Sequence, residues 1–279
     1  MFLNIVWDFD PVAFSFLGRE VRWYGIMFAT AFACSYWLTF WMMKKEKNNV
    51  LIADTLLLYI AIGTIIGARL GHCFFYEPAH YLANPLEVLK IWRGGLASHG
   101  GAFGILLAIY LAARKHNQSY WYLVDRVVIC VAMVGFFVRT GNLFNSEIYG
   151  HETTLPWGFI FVRNGETLPM HPTQIYEALA YLAISGILLS YYVWKKHKPK
   201  DGYLFGAFLI LVFGARIAIE SIKNPQVDFE RYMSLNMGQW LSIPFVLGGI
   251  VILWLAVNGK LPTFPKPKNI RTKPSKKHK

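Results

Sequence analysis

Charge is scarce in this sequence. Asp, Glu, Lys and Arg together make up 16% of its 279 residues, whereas 55% are apolar and 16% aromatic. A soluble domain carries about a quarter charged residues, and its core has no use for so much Phe, Trp and Leu, so the composition excludes that class and points to a membrane. Cysteine is scarce too. Cys34, Cys73 and Cys130 lie inside apolar runs, and none stands in a C-x-x-C or Cys/His ligand spacing. That pattern argues against a disulfide framework and against zinc, and leaves them as small packing residues. A nucleotide-binding glycine loop and a metal motif are missing, so neither metal nor cofactor is expected. The 28 basic residues outnumber 16 acidic ones, but no nucleic-acid recognition motif accompanies the excess, and nucleic acid is not an expected partner. The first residues carry Asp8, Asp10 and Glu20 where a signal peptide has a basic n-region; the first apolar run is therefore expected to stay in the mature protein.

What is present is a succession of apolar runs. A bilayer crossing takes about 20 apolar residues, which places spans near Val21–Met43, Ile52–Phe75, Leu96–Ala113, Tyr122–Phe137, Ile175–Trp194, Tyr203–Ile222 and Trp240–Val257. The expected fold is an all-α integral membrane protein with about seven transmembrane helices. The third and fourth runs are short and pass into polar sequence, so irregular outer ends are expected there. Basic clusters follow the first span (Lys44, Lys45, Lys47), the third (Arg114, Lys115) and the fifth (Lys195, Lys196, Lys198, Lys200), and fill the tail from Asn258. By the positive-inside rule these lie in the cytoplasm. The N-terminus and segments 76–95, 138–170 and 223–239 then face outward. Residues 1–257 read as the transmembrane domain, with a small cap over about 145–170, where Trp157 to Val162 is β-like and Asn164-Gly165 reads as a hairpin turn. The tail, 258–279, is basic and proline-bearing, and is expected to be disordered against the anionic inner leaflet.

With the topology taken from lysines alone, the unusual polar residues gather at one membrane level. Tyr24, Arg69, His99, Arg139, Asn142, His171, Arg216 and Glu220 all fall at or near outer span ends. Each has a structural reading as well. Arg216 and Glu220, four apart on one helical face, can neutralise each other. His99 can be a hydrogen-bonded interfacial histidine. Gly100, Gly101 and Gly104, like Gly63, Gly67 and Gly71, can permit close helix approach, and His171-Pro172 can mark a helix start. The run Arg139-Thr140-Gly141-Asn142-Leu143-Phe144-Asn145-Ser146-Glu147-Ile148-Tyr149-Gly150 is harder to explain structurally. It concentrates a guanidinium, two amides and a carboxylate where a span meets the interface, which is costly unless they are paired or used. Arginine's planar fork suits a lipid phosphate at that depth.

The motifs resemble those of the bacterial prolipoprotein diacylglyceryl transferases. The likeness runs through Arg22-Trp23-Tyr24-Gly25, Gly67-Ala68-Arg69-Leu70-Gly71, Gly94 to Gly101, Arg139 to Gly150, His171-Pro172-Thr173-Gln174-Ile175-Tyr176-Glu177, and Arg216 with Glu220. The chain departs from the family pattern at Val138, at Leu143 and at Lys223, where an arginine is usual. The resemblance implies transfer of a diacylglyceryl group from phosphatidylglycerol to the lipobox cysteine of a prolipoprotein signal peptide, in the bacterial inner membrane, with the N-terminus outside and the C-terminus cytoplasmic. It implies Arg139 and Arg216 at the phosphate and His99 as acceptor of the thiol proton. Tyr24, Asn142 and Glu147 would orient the headgroup, Glu220 would hold Arg216, and Gly150, His171 and Arg69 would line the substrate site. A transporter for an anionic substrate is the rival reading, since intramembrane Arg, Glu and His also mark ion pathways. A membrane scaffold is a second rival.

Overall fold

The computed structural model describes residues 5–224 and 233–265. The eight α-helices of these residues are α1 (Trp23–Lys45), α2 (Leu51–Phe75), the short α3 (Pro78–Ala83), α4 (Ser98–His116), α5 (Tyr120–Phe144), α6 (Thr173–Trp194), α7 (Tyr203–Glu220) and α8 (Met237–Val257). Four short strands accompany them: β1 (Ile5–Trp7), β2 (Val12–Phe16), β3 (Arg19–Arg22) and β4 (Phe159–Phe161). Seven long helices thus form near the seven expected spans, and six of them, all but α4, are long and apolar enough to cross a membrane. Helix α4 falls short because Ser98, His99 and two glycines open it and Arg114, Lys115 and His116 close it. The protein is mostly helical and is a multi-pass membrane protein.

The fourth expected span corrects the sequence reading. An irregular outer end was expected beyond Phe137, yet α5 stays helical to Phe144. Arg139 and Asn142, three apart, therefore share a face, and Arg139 Nη1 donates to Asn142 Oδ1 at 3.2 Å. The polar groups satisfy each other, so the helix need not break.

The chain packs as two compact units. One holds the described residues of Met1–Ala53 and Asp125–Leu261, the other those of Asp54–Val124 and Pro262–Lys279. In the first unit the helices turn their polar side inward. On α6 the buried residues Thr173, Gln174, Glu177, Ala178, Tyr181, Ile184, Ser185, Leu188 and Tyr192 follow a helical period, whereas Leu179, Leu182 and Ile187 are exposed. Lipid tails solvate the apolar face as well as a protein core would, so the face that must be buried is the one carrying hydrogen-bonding groups.

The lysine-bearing end of this unit is closed by polar pairs. Arg126 Nε lies 3.0 Å from Glu46 Oε1 with both side chains buried, and the Tyr192 hydroxyl donates to the same oxygen at 2.6 Å. Asp125 accepts from the backbone N–H groups of Gly202 and Phe205 at 2.8 and 2.9 Å, capping the start of α7 from another helix. These charged residues tie helix ends together.

At the opposite end a small cap is built on Leu143, Phe159 and Phe161, against which Trp7, Tyr149, Met170 and Ile175 pack. Strand β4 pairs in parallel with β1, register Ile5 to Phe159 through Trp7 to Phe161. The expected hairpin is met only in part. Gly165, at φ +79°, reverses the chain, and Phe159 and Met170 exchange both backbone hydrogen bonds, but the longer partner of β4 is the N-terminal strand. No local pattern announces a parallel partner about 150 residues away. Strands β2 and β3 form a separate hairpin that exposes Phe14, Phe16 and Leu17.

In the second unit, α2 and α4 cross on glycine. A Cβ on Gly67 would run into the Gly100 carbonyl, and one on Gly104 into that of Gly63. This is the small-residue contact by which membrane helices approach most closely. Of the tail, residues 258–265 are described; Phe264 stacks on Tyr120 and accepts its backbone N–H at 2.8 Å. The rest of the expected disordered tail lies outside the described residues.

Candidate active site

The first unit brings the start of α1, the end of α5, the start of α6 and the end of α7 to one place. Tyr24, in the first turn of α1, packs its ring on Gly141, where a Cβ would lie 2.8 Å from Tyr24 Cδ2. Arg139 and Asn142 stand on the last turns of α5, and Asn142 passes the contact on by donating to Glu147 Oε1 at 2.7 Å. Asn145 donates to the same oxygen at 3.3 Å. Arg139, Asn142 and Glu147 are thus one hydrogen-bonded chain beside Tyr24.

Glu147 stands on strained backbone. Its neighbours Ser146 and Ile148 have φ of 54° and 62°, a left-handed conformation that costs non-glycine residues about 1–2 kcal/mol each. Three side chains hold the strain in place. Asn164 donates to the Ser146 carbonyl at 2.6 Å, Gln174 to that of Glu147 at 2.8 Å, and Thr173 to that of Ile148 at 2.8 Å. The Thr173-Gln174 pair that opens α6 is therefore a brace for the turn that aims Glu147.

A second set of charges adjoins the first. Glu177, wholly buried on α6, has Oε2 3.0 Å from Arg139 Nε and 3.0 Å from Lys223 Nζ. Neither cation points an N–H along a hydrogen bond at that oxygen, so the attraction is Coulombic. Glu177 Oε1 accepts from the Tyr181 hydroxyl at 3.1 Å. Lys223, just past α7, also reaches Glu220 Oε2 at 3.1 Å. Arg216 is held more loosely: its Nε is 3.8 Å from Glu220 Oε2 and lacks a hydrogen-bond partner, and its side chain is 36% exposed against 16% for Arg139. Three cations face three carboxylates, and the arginines keep donors to spare. Such donors in a water-poor setting are what a phosphate needs.

The remaining expected residues take other places. Gly150 is a packing position: a Cβ there would run into the Ile222 carbonyl and crowd Thr173 and His171. His171 lies in the cap with Nδ1 3.2 Å from the Tyr176 hydroxyl. Burial, and behind it the neighbouring His151, push its imidazole below the usual histidine range.

Arg69 and His99 belong to the second unit. Arg69 is 3% exposed. Its Nε donates to the Val88 carbonyl at 2.9 Å, Nη1 to those of Gly94 and Gly95 at 2.6 and 3.3 Å, and Nη2 to that of Glu87 at 2.5 Å. A guanidinium so spent on carbonyls fastens segment 87–95 and has no fork left for a phosphate. His99 is exposed on the first turn of α4, which the Ala97 N–H anchors to the Ala68 carbonyl at 2.9 Å.

The two residues given no role from sequence are Glu177 and Lys223. A signal for Glu177 existed: a carboxylate on the buried face of a membrane helix demands a cation.

A sequence model of the family described as prolipoprotein diacylglyceryl transferase matches residues 11–255. The chain belongs to the prolipoprotein diacylglyceryl transferase family. Curated relatives carry the name phosphatidylglycerol–prolipoprotein diacylglyceryl transferase. One from Tolumonas auensis is 47% identical over 92% of this chain and 99% of its own. One from Chloroherpeton thalassium is 44% identical over 91% and 94%, and one from Porphyromonas gingivalis 43% over 92% and 96%. The matched span of this diacylglyceryl transferase family member includes all the residues of the charge cluster. The transporter alternative finds no support in these likenesses.

Proposed function

We propose that the protein transfers the diacylglyceryl group of phosphatidylglycerol to the lipobox cysteine thiol of prolipoproteins, forming a thioether and releasing glycerol phosphate. The observation that carries this reading is the pair of underused arginines, Arg139 and Arg216, joined to a Tyr24–Asn142–Glu147 group at one end of a membrane bundle. In the reaction the cysteine sulfur bonds to the glyceryl carbon while that carbon's bond to the phosphate oxygen breaks. The electron pair leaves on glycerol phosphate, whose phosphate goes from a singly charged diester to a more highly charged monoester. Stabilisation of that growing charge is worth most where water is excluded.

Arg139 and Arg216 hold the phosphate in this scheme. Asn142, Glu147 and Tyr24 orient the headgroup, and His99 takes the thiol proton. The enzyme lies in the bacterial cell membrane with this site outward and the lysine clusters inward, where the prolipoprotein's signal peptide presents its cysteine from the same bilayer. Residues 1–257 form the catalytic domain and 258–279 a basic cytoplasmic tail. Arg69 acts here through the segment it fastens and not on the phosphate.

The test is transfer by purified protein in detergent from phosphatidylglycerol labelled in its glycerol headgroup to a lipobox peptide. Release of labelled glycerol phosphate with a cysteine peptide, lost with a serine peptide and with Arg139→Ala, is expected. A folded wild-type sample that releases none, beside an active relative, overturns the reading.

A further inference from the structure

Glu177 is the most deeply buried charge in the site, and the chemistry above gives it nothing to do. Its side chain is 0% exposed, it touches two cations at 3.0 Å, and it lies on α6 between Arg139 on α5 and Lys223 beyond α7. A carboxylate in that position attracts any guanidinium nearby, and a site that must offer arginines to a phosphate has to limit that attraction. The contacts show how. Glu177 comes nearest Arg139 at Nε, while Nη1 donates to Asn142 and no hydrogen bond from Nη2 is found among the described residues. Lys223, itself buried, neutralises what remains of Glu177 and also engages Glu220, the carboxylate facing Arg216. One lysine thus competes with both arginines for their carboxylates.

We propose that Glu177 is a positioning residue for phospholipid, fixing Arg139 by its Nε edge so that the outer edge of the guanidinium faces the phosphate, with Lys223 sharing both buried carboxylates with the two arginines and so weakening their hold on each. The proposal rests on the phosphate clamp described above. A missing or retracted carboxylate lets Arg139 turn, and a misplacement of about 1 Å in a charged clamp costs up to about a hundredfold.

The full-length protein in detergent is assayed for kcat and for KM toward phosphatidylglycerol and toward the lipobox peptide separately, with the thermal midpoint of each variant recorded. Glu177→Gln is expected to raise KM for phosphatidylglycerol about ten- to a hundredfold and leave that for the peptide unchanged. Glu177→Asp, which keeps the charge but draws it back, should show a smaller rise. Lys223→Met should resemble Glu177→Gln, and Lys223→Arg should restore the phospholipid KM. An unchanged phospholipid KM in Glu177→Gln, even with a lowered thermal midpoint, overturns the proposal. Should Glu177→Gln fail to fold, an unchanged phospholipid KM in Glu177→Asp overturns it. Arg139→Ala is the separate arm: retained kcat and phospholipid KM there mean that the clamp itself is wrong.

Discussion

Arg139 shows why charge alone does not specify a residue. It meets Glu177 through Nε and Asn142 through Nη1, so two edges of one plane are in use at once. Arg139→Lys keeps the charge and loses the plane, and transfer is expected to drop about a hundredfold in membranes with normal protein levels. Near-normal turnover would mean that a point charge suffices. His171 gives a prediction in pH. Its folded-state affinity for a proton is depressed, by burial first and His151 second, so protonation favours the unfolded chain. The stability this costs is absent above the unfolded histidine value of about 6.5 and grows as pH falls through it. The thermal midpoint should decline on acidification below that point, and His171→Gln should flatten the decline. From sequence, the resemblance put His171 at the substrate site and its place before a span read as a helix start; its contacts with His151 and Tyr176 in the cap come only from the fold.

At the scale of elements, the brace on the 146–148 turn is the feature with most at stake. Gln174 and Thr173 are both wholly buried and both donate to carbonyls of that turn. Gln174→Ala removes a buried donor and leaves the Glu147 carbonyl unpaired, which should cost about 1–3 kcal/mol of stability. It should also lower transfer more than it lowers the thermal midpoint, because the turn that relaxes carries Glu147. Equal losses in both would make the brace purely structural. The crossing of α2 and α4 predicts differently. Gly67→Leu meets the Gly100 carbonyl and Gly104, so helix packing and expression should fail together, with no variant that folds yet lacks turnover. The glycine spacing was legible in sequence as small residues one helical turn apart. The persistence of α5 through Arg139 and Asn142 was not, because polar residues at a span end signal a break unless their partners are known.

At the scale of the molecule, the arrangement of polar groups separates a one-sided site from a route. Within the first unit, Arg126, Glu46, Asp125 and Tyr192 are tied together at the lysine-bearing end, while the underused arginines lie at the other. Orientation can be measured directly. In a protein with Cys34, Cys73 and Cys130 replaced, a cysteine put at Trp157 should react with an impermeant thiol reagent added to intact cells whose outer barrier is opened. One at Lys198 should react only after lysis. The reverse pattern would place the cap in the cytoplasm and remove the site from its lipoprotein substrates.

The sequence by itself determined the membrane class, the positions of the long helices, and the residues of the Arg139 to Gly150 run, because apolar length, lysine clusters and local motifs are all written along the chain. Tertiary structure alone decided that Arg69 spends its guanidinium on backbone carbonyls, that β4 takes the N-terminal strand as partner, and that Glu177 and Lys223 join the site. Each of those facts depends on partners far apart in sequence. A buried charge announces that it needs a counter-charge, but only the folded helices choose which one it meets.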